Sequence, residues 1–155
     1  MSHRWAALVL VLALCAFAPK NAAGQSQPPR GHKSGGLGQN YPNPFNPETR
    51  IPFTVGDIEA SCTGDTQLHV VSMQVINALG QVVTVPVFES TAGVSIAAVA
   101  NGTPIRNLRL PCGKYVAFWD GNYQGTTKEV ASGIYVVRLV IDQDKPLSRR
   151  MFVRK

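Results

Sequence analysis

Beyond residue 48 the chain is a series of short, β-rich apolar runs separated by turn residues. Residues 49–55 predict a first strand, which Pro52 restricts to a sheet edge or to a strand that passes between two sheets. Residues 67–77 alternate between apolar and polar side chains, which predicts a second, half-buried strand. A tight turn at 78–80 returns the chain through 81–88, so the pattern predicts a hairpin.

The second half of the chain contains three further strand-like runs. Residues 114–119 and 133–141 are apolar on both faces, as the central strands of two packed sheets are. Residues 148–155 alternate, so the chain ends in a half-exposed strand. Residues 89–108 are small and apolar and fit either a strand pair or a long covered loop; we predict one strand near 94–99. About seven short strands without any helical period predict an all-β sandwich.

The stretch LGQNYPNPFNPETRIPF, residues 37–53, leads into the first strand and is rich in proline and asparagine. It is not helical, because each proline removes a backbone donor and pushes the preceding residue into the extended region. We therefore predict a rigid, extended lead-in.

The N-terminus has the features of a secretory signal peptide over residues 1–24. Arg4 precedes an apolar run that is shorter than the roughly 20 residues that span a bilayer. Leu14 is bulky where a lipoprotein signal has a small residue before its cysteine, which disfavours a lipid anchor at Cys15. Residues 25–36 are polar and glycine-rich and predict a flexible, disordered linker. Residues 37–155 are long enough for one domain with a core of its own.

Two cysteines, Cys62 and Cys112, remain after removal of the signal peptide. An exported chain passes through an oxidising compartment, so we predict a disulfide between them, with two free buried thiols as the alternative. Closing a loop of this length stabilises a fold by about 3 to 4 kcal/mol in the chain-entropy model. One cysteine pair without neighbouring histidines predicts no metal site.

The formal net charge of +6 falls to +4 when Arg4 and Lys20 leave with the signal peptide. This balance is modest, and the basic residues do not follow a groove, so nucleic acid is not a predicted partner. The last seven residues nevertheless contain four basic side chains, at Arg149, Arg150, Arg154 and Lys155. On an end strand they serve either as protection of the edge against self-association or as a docking face for another protein.

Residues 120–125 match the opening of a calcium loop, but the twelfth position is Ala131, where such a loop needs a bidentate glutamate. A turn is the better interpretation, and we predict neither a metal nor a cofactor. His69 lies in a predicted strand, and no nucleophile motif accompanies it. We therefore predict a partly buried, neutral histidine and a protein that is not an enzyme.

Three stretches together resemble a known family: LGQNYPNPFNPETRIPF at 37–53, MQVINALGQVV at 73–83, and the segment 112–155 with its WDG and SGIY strings. They resemble the immunoglobulin-like domain family named for the flagellar hook-capping protein, a pattern shared by the C-terminal sorting domains of type IX secretion cargo. The resemblance implies an immunoglobulin-like β-sandwich. The residues that carry it are Asn40, Tyr41, Pro42, Asn43, Pro44, Phe45, Asn46, Pro47, Trp119, Asp120, Gly121, Gly133 and Tyr135.

In such domains the lead-in folds against the base of the sandwich. The resemblance implies that Tyr41 and Phe45 plug the open end of the core. It also implies that Asn40, Asn43 and Asn46 hold turns by bonding to nearby backbone groups.

The resemblance implies a non-catalytic, exported protein that acts as a type IX sorting or surface-anchoring domain. Its partner would be the outer-membrane secretion machinery, and it would pass through the periplasm to the cell surface or the medium. The alternative is an assembly or adhesion module that binds other envelope proteins. Neither function requires a stable membrane span once the signal peptide is removed.

Overall fold

The computed structural model describes residues 35–56, 62, 67–89 and 99–155. The predicted signal peptide, most of the linker and nearly all of the strand predicted near 94–99 lie outside these ranges; Val99, which lies inside them, belongs to no strand. The described chain contains nine strands and no helix. They are β1 (Gly35–Leu37), β2 (Thr49–Val55), β3 (Leu68–Ile76), β4 (Val82–Thr84), β5 (Val87–Glu89), β6 (Leu108–Pro111), β7 (Gly113–Trp119), β8 (Gly133–Ile141) and β9 (Leu147–Val153).

The strands form two antiparallel sheets, which confirms the predicted all-β sandwich. The first sheet has the order β1-β2-β7-β5, and the second has the order β4-β3-β8-β9, with β6 also paired to β3. On β3 the inward side chains Val71, Met73 and Val75 are fully buried, whereas Gln74 is exposed. Alternate positions of both sheets thus build one core, as the period of two predicts.

The predicted bounds of β2 and β8 match the structure, and β7 begins one residue earlier than predicted. The predicted return strand 81–88 is instead divided. Val82–Thr84 pairs with β3, whereas Val87–Glu89 pairs with β7 in the opposite sheet. The chain crosses between the sheets at Val85 and Pro86, both of which are buried. The hairpin prediction is therefore correct only for the first part of the run.

Pro52 lies in an inner strand, which corrects its predicted place at an edge or a crossing. It pairs with Val116 of β7 on one side, and its carbonyl accepts the Gly38 N–H at 2.9 Å on the other. The nitrogen and carbonyl of one residue point to the same side of an antiparallel strand. The missing N–H of Pro52 therefore faces Gly38, just beyond the last residue of β1, where the ladder has already ended.

Other segments of the chain hydrogen-bond along the two margins of the first sheet. Along β5, the Phe88 N–H donates to the Thr103 carbonyl at 2.7 Å, and the Phe88 carbonyl accepts the Gly102 N–H at 2.8 Å. On the opposite margin of the first sheet, Gly35 and Gly36 of the predicted linker pair with Val55 and Thr54 as part of β1. The linker prediction thus extends two residues too far.

Cys62 and Cys112 are joined by a disulfide with their Cα atoms 5.3 Å apart, as the sequence predicts. Cys112 lies at the junction of β6 and β7, so the bond fastens the segment after β2 to that junction. A disulfide is compatible with an extracytoplasmic protein. In the ranges that the structure describes, no helix is long and apolar enough to cross a membrane.

Candidate functional site

The lead-in segment, residues 38–48, is a succession of bends, which corrects the prediction of an extended conformation. Two isolated bridges hold it in place. Tyr41 pairs with Arg50 in antiparallel fashion, and Phe45 pairs with Val153 in parallel fashion. The lead-in segment therefore connects the start of the first sheet to the last strand of the second.

An aromatic cluster formed by Phe45, Trp119 and Tyr135 closes the base of the core. The Phe45 and Trp119 ring centroids are 5.2 Å apart, and those of Trp119 and Tyr135 are 5.7 Å apart, both edge to face. Phe45 is fully buried, as the resemblance implies. Tyr41 does not share this position, because it is 49% exposed. Of the two aromatic residues in the motif, only Phe45 therefore fills the core.

The asparagines of the lead-in segment have different partners. Asn40 is buried, and its Nδ2 donates to the Pro42 carbonyl and to the Thr49 hydroxyl, each at 3.0 Å. Asn43 instead accepts the Phe152 N–H of β9 at 2.9 Å. The Asn46 side chain is exposed. The local turn contacts implied for these residues are thus found for Asn40, while Asn43 binds across the fold.

The segment after β7 fixes the lead-in segment from the other side. Gly121 has φ of +78°, and a Cβ added there would collide with the Pro47 carbonyl, so a side chain is excluded on both counts. The Asp120 carboxylate accepts the Asn122 backbone N–H at 3.0 Å and its side-chain amide at 2.9 Å. This is an Asx turn, in agreement with the turn predicted for this stretch.

Two tyrosines anchor the starts of the central strands. The Tyr135 hydroxyl donates to the Ala131 carbonyl at 2.9 Å, and the Tyr115 hydroxyl donates to the Pro111 carbonyl at 2.7 Å. Burial raises the pKa of Tyr115 above its ordinary value. Burial also raises the pKa of Tyr135, with a further contribution from Tyr123.

These raised pKa values predict a loss of stability in alkali. The folded state holds the phenol protons more tightly than the unfolded chain, so the free energy of unfolding falls as pH rises above about 10, the pKa of an unfolded tyrosine. Urea-unfolding midpoints measured from neutral pH upward should show this decline. In the double variant Tyr115→Phe, Tyr135→Phe the decline should be shallower, at a cost of about 1 kcal/mol per lost hydrogen bond near neutrality. An unchanged dependence of stability on pH in this variant would contradict the prediction.

The four basic residues at the C-terminus do not form one surface. Arg149 lies at the margin of the sandwich, where its Nε donates to the Leu37 carbonyl at 3.1 Å. Lys155 forms a 2.8 Å ion pair with Glu129. Arg150 and Arg154 lie on the opposite face of the strand from Arg149. They project from the outer face of the second sheet.

A fifth basic residue, Arg138 of β8, joins this outer face. In the register of β8 and β9, Arg138 lies opposite Ser148, and Val136 lies opposite Arg150. Arg138 and Arg150 are thus diagonal neighbours, about 7 to 8 Å apart in antiparallel geometry.

We call the resulting surface the outer patch; it consists of Ile134, Val136, Arg138, Arg150, Phe152 and Arg154. A shallow groove of about 690 Å³ follows it between Gln39 and Phe152.

The arginines of the outer patch lack the neutralising partners found on the first sheet. On that sheet the Arg50 Nε donates to both carboxylate oxygens of Glu89, at 2.9 and 3.1 Å, and the guanidinium lies 5.5 Å from the Phe118 ring centroid. The hydrogen bond and the charge of Glu89 raise the pKa of Arg50. By contrast, no carboxylate within the described ranges forms a salt bridge with Arg138, Arg150 or Arg154.

The free edge of β9 is occupied by the lead-in segment. Phe45 donates its N–H to the Phe152 carbonyl at 2.9 Å and accepts the Arg154 N–H at 3.1 Å. Together with the Asn43 contact to Phe152, these bonds use the backbone groups on which a partner strand would pair. β9 therefore presents its side chains to a partner over this stretch, while its backbone is already satisfied.

His69 is buried in β3, as predicted, and its Nδ1 contacts the Asp142 carboxylate. The other Asp142 oxygen accepts the Val70 N–H at 2.8 Å, so the pair fastens the β8–β9 turn to β3. The His69 Nε2 is buried and has no hydrogen-bond partner among the described residues. The geometry gives this histidine a structural position inside the sheet.

No protein-family model, no curated protein and no solved structure matches this chain. A functional proposal therefore depends on the residues and geometry of the chain itself.

Proposed function

We propose that this protein is a non-catalytic, exported β-sandwich that acts as a sorting or surface-anchoring domain and is recognised through its C-terminal strand. The sequence stretches that resemble type IX sorting domains support this proposal. The observation that carries it is the outer patch, in which arginines without a salt bridge to any described residue flank an exposed aromatic on β9. The lead-in segment is hydrogen-bonded to the edge of this strand and so supports the patch from one side.

A non-catalytic function is supported by the position of the histidine. A general base needs a ring nitrogen within hydrogen-bond reach of its substrate. In His69 one nitrogen contacts Asp142 and the other is buried, so neither is offered at the surface. The disulfide supports export, because cytosolic thiols are kept reduced.

The second candidate function is an assembly or adhesion module in the cell envelope. It is favoured by the apolar part of the outer patch, where Ile134 is 50% exposed and Phe152 is 42% exposed. Exposed apolar surface rimmed by polar groups marks protein interfaces of many kinds, stable assemblies included.

The double variant Arg150→Glu, Arg154→Glu tests the sorting function. In a host that possesses type IX machinery, we expect the variant to accumulate in the periplasm while the wild type reaches the surface or the medium. Both side chains are exposed, so the fold should lose no more than about 0.5 kcal/mol. Protease accessibility on intact cells, followed by the intact mass of the recovered protein, measures location and C-terminal trimming together.

The matched control is Lys114→Glu, Lys145→Glu, which makes the same change in net charge. Lys114 lies on β7 of the first sheet and Lys145 lies in the β8–β9 turn, and both are exposed. The control should be exported normally. Wild-type protein that remains full length in the periplasm would refute the sorting function and leave the assembly function to be tested.

A further inference from the structure

Among the described residues, the outer face of the second sheet carries more positive than negative charge. The outward positions of β3, β6, β8 and β9 include three arginines, Arg109, Arg138 and Arg150, and Arg154 follows directly after β9. These outward positions, all within the described ranges, contain no aspartate or glutamate; Asp142, which follows directly after β8, already contacts His69 and accepts the Val70 N–H. Arg138 and Arg150 are diagonal neighbours, so their like charges repel each other and this part of the face gains most from a partner of opposite charge.

The same face places apolar side chains between the charges. Ile134 and Phe152 are directly opposite each other on β8 and β9, and each is about half exposed. Along β9 the outward order is Arg150, Phe152 and Arg154, which alternates basic, aromatic and basic. Successive members of this order are about 7 Å apart, because they are two residues apart on one strand.

The mode of binding follows from the closed edge. Asn43 and Phe45 already occupy the Phe152 backbone groups, so a partner strand does not simply extend the sheet there. Recognition is left to the side chains. Arginine suits this task, since its planar fork binds carboxylates bidentately and it is weakly hydrated compared with lysine.

We infer that the outer patch binds an acidic peptide segment of another protein, in which an apolar side chain lies between carboxylates. The carboxylates would pair with Arg150, Arg138 or Arg154, and the apolar side chain would pack on Phe152 and Ile134. An extended segment repeats its outward side chains with the same spacing as β9, which matches the alternation along the strand. The inference deepens the proposed function, on which it rests for the biological context of the site.

A lipid surface fits this geometry less well. Phe152 and Ile134 lie within a sheet face, among arginines of the same strands, and about half of each side chain is covered. Membrane insertion instead requires an apolar face that sinks about 5 to 10 Å below the headgroups.

The test uses the purified full chain with its disulfide formed, incubated with an array of random short peptides. Bound peptides should be enriched in aspartate and glutamate with phenylalanine, leucine or isoleucine between them, and added salt should weaken capture. For a selected peptide, Arg138→Glu, Arg150→Glu should lower the affinity by about tenfold or more. Phe152→Ser should weaken binding while preserving the preference for acidic residues. The control Lys114→Glu, Lys145→Glu should bind as the wild type does.

Several results would overturn the inference. These are an array with no acidic enrichment, a charge-reversed variant that binds as well as the control, or flotation with phosphatidylglycerol vesicles in place of peptide selection.

Failure of this inference is distinguishable from failure of the sorting function. Acidic selection with normal export of Arg138→Glu, Arg150→Glu would retain the binding site and reject sorting through it. Lost export without acidic selection would retain sorting and reject the acidic partner.

Discussion

Replacing Phe45 by alanine is expected to lower the free energy of unfolding by about 3 to 5 kcal/mol. The ring is fully buried, and it packs edge to face on Trp119 at the base of the core. Its removal leaves a cavity that the proline-rich bends of the lead-in segment are poorly able to fill. A domain of this size has a total stability of about 5 to 15 kcal/mol, so the variant should be close to unfolding. Urea denaturation of the two proteins measures the difference.

Tyr41→Ala is the matched control, because it removes an aromatic ring from the same segment. Tyr41 is half exposed and contributes its backbone to the bridge with Arg50, which alanine preserves. We expect a cost of about 0.5 kcal/mol or less. Equal losses in the two variants would mean that Phe45 does not close the core in the way described. Phe45→Leu should fall between them, since leucine refills part of the cavity.

Removing the disulfide is expected to cost about 4 kcal/mol. Cys62 and Cys112 are 50 residues apart in the sequence, and the chain-entropy model gives this magnitude for a loop of that length. The double variant Cys62→Ser, Cys112→Ser should therefore unfold at a much lower urea concentration than the oxidised protein. Unfolding followed by tryptophan fluorescence is a suitable measurement, because Trp119 is buried in the aromatic cluster.

Reduction of the wild type provides the control for this experiment. The reduced protein and the double-serine variant should have similar midpoints, because both lack the cross-link. A reduced protein that is as stable as the oxidised one would show that the loop is already confined in the unfolded chain. A variant far less stable than the reduced protein would point to packing of the sulfur atoms as the main contribution.

The strands that the sequence predicts well are those with long, uniform patterns. β2 and β8 have seven and nine residues and keep their period throughout, so their bounds match. The sequence does not indicate β6, because four residues are too few to establish a period. It does not separate β4 from β5, because an apolar run gives no indication of which sheet each half joins. Pro86 within that run is the only local sign of a break.

The candidate site was only partly predictable for the same reason. The alternation along 148–155 separates Arg150 and Arg154 from Met151 and Val153, and this separation is visible in the sequence. The sequence does not indicate Arg138, because its place beside Arg150 depends on the register between β8 and β9. Likewise, no local pattern indicates that Asn43 and Phe45 close the edge of a strand more than 100 residues later.

The parallel alignment of the lead-in segment with β9 has a mechanical consequence. Four hydrogen bonds join the lead-in segment to β9 and to Arg154, which follows it, from the Gln39 contact with Arg150 to the Arg154 contact with Phe45. Because both segments run in the same direction, a pull toward the N-terminus that passes through β1 to the lead-in segment, against a hold at Lys155, loads these bonds in shear. Bonds loaded in parallel must break together, whereas a hairpin peeled from its end loses them singly. A domain that is held at its C-terminal strand should therefore resist unfolding under a pulling force.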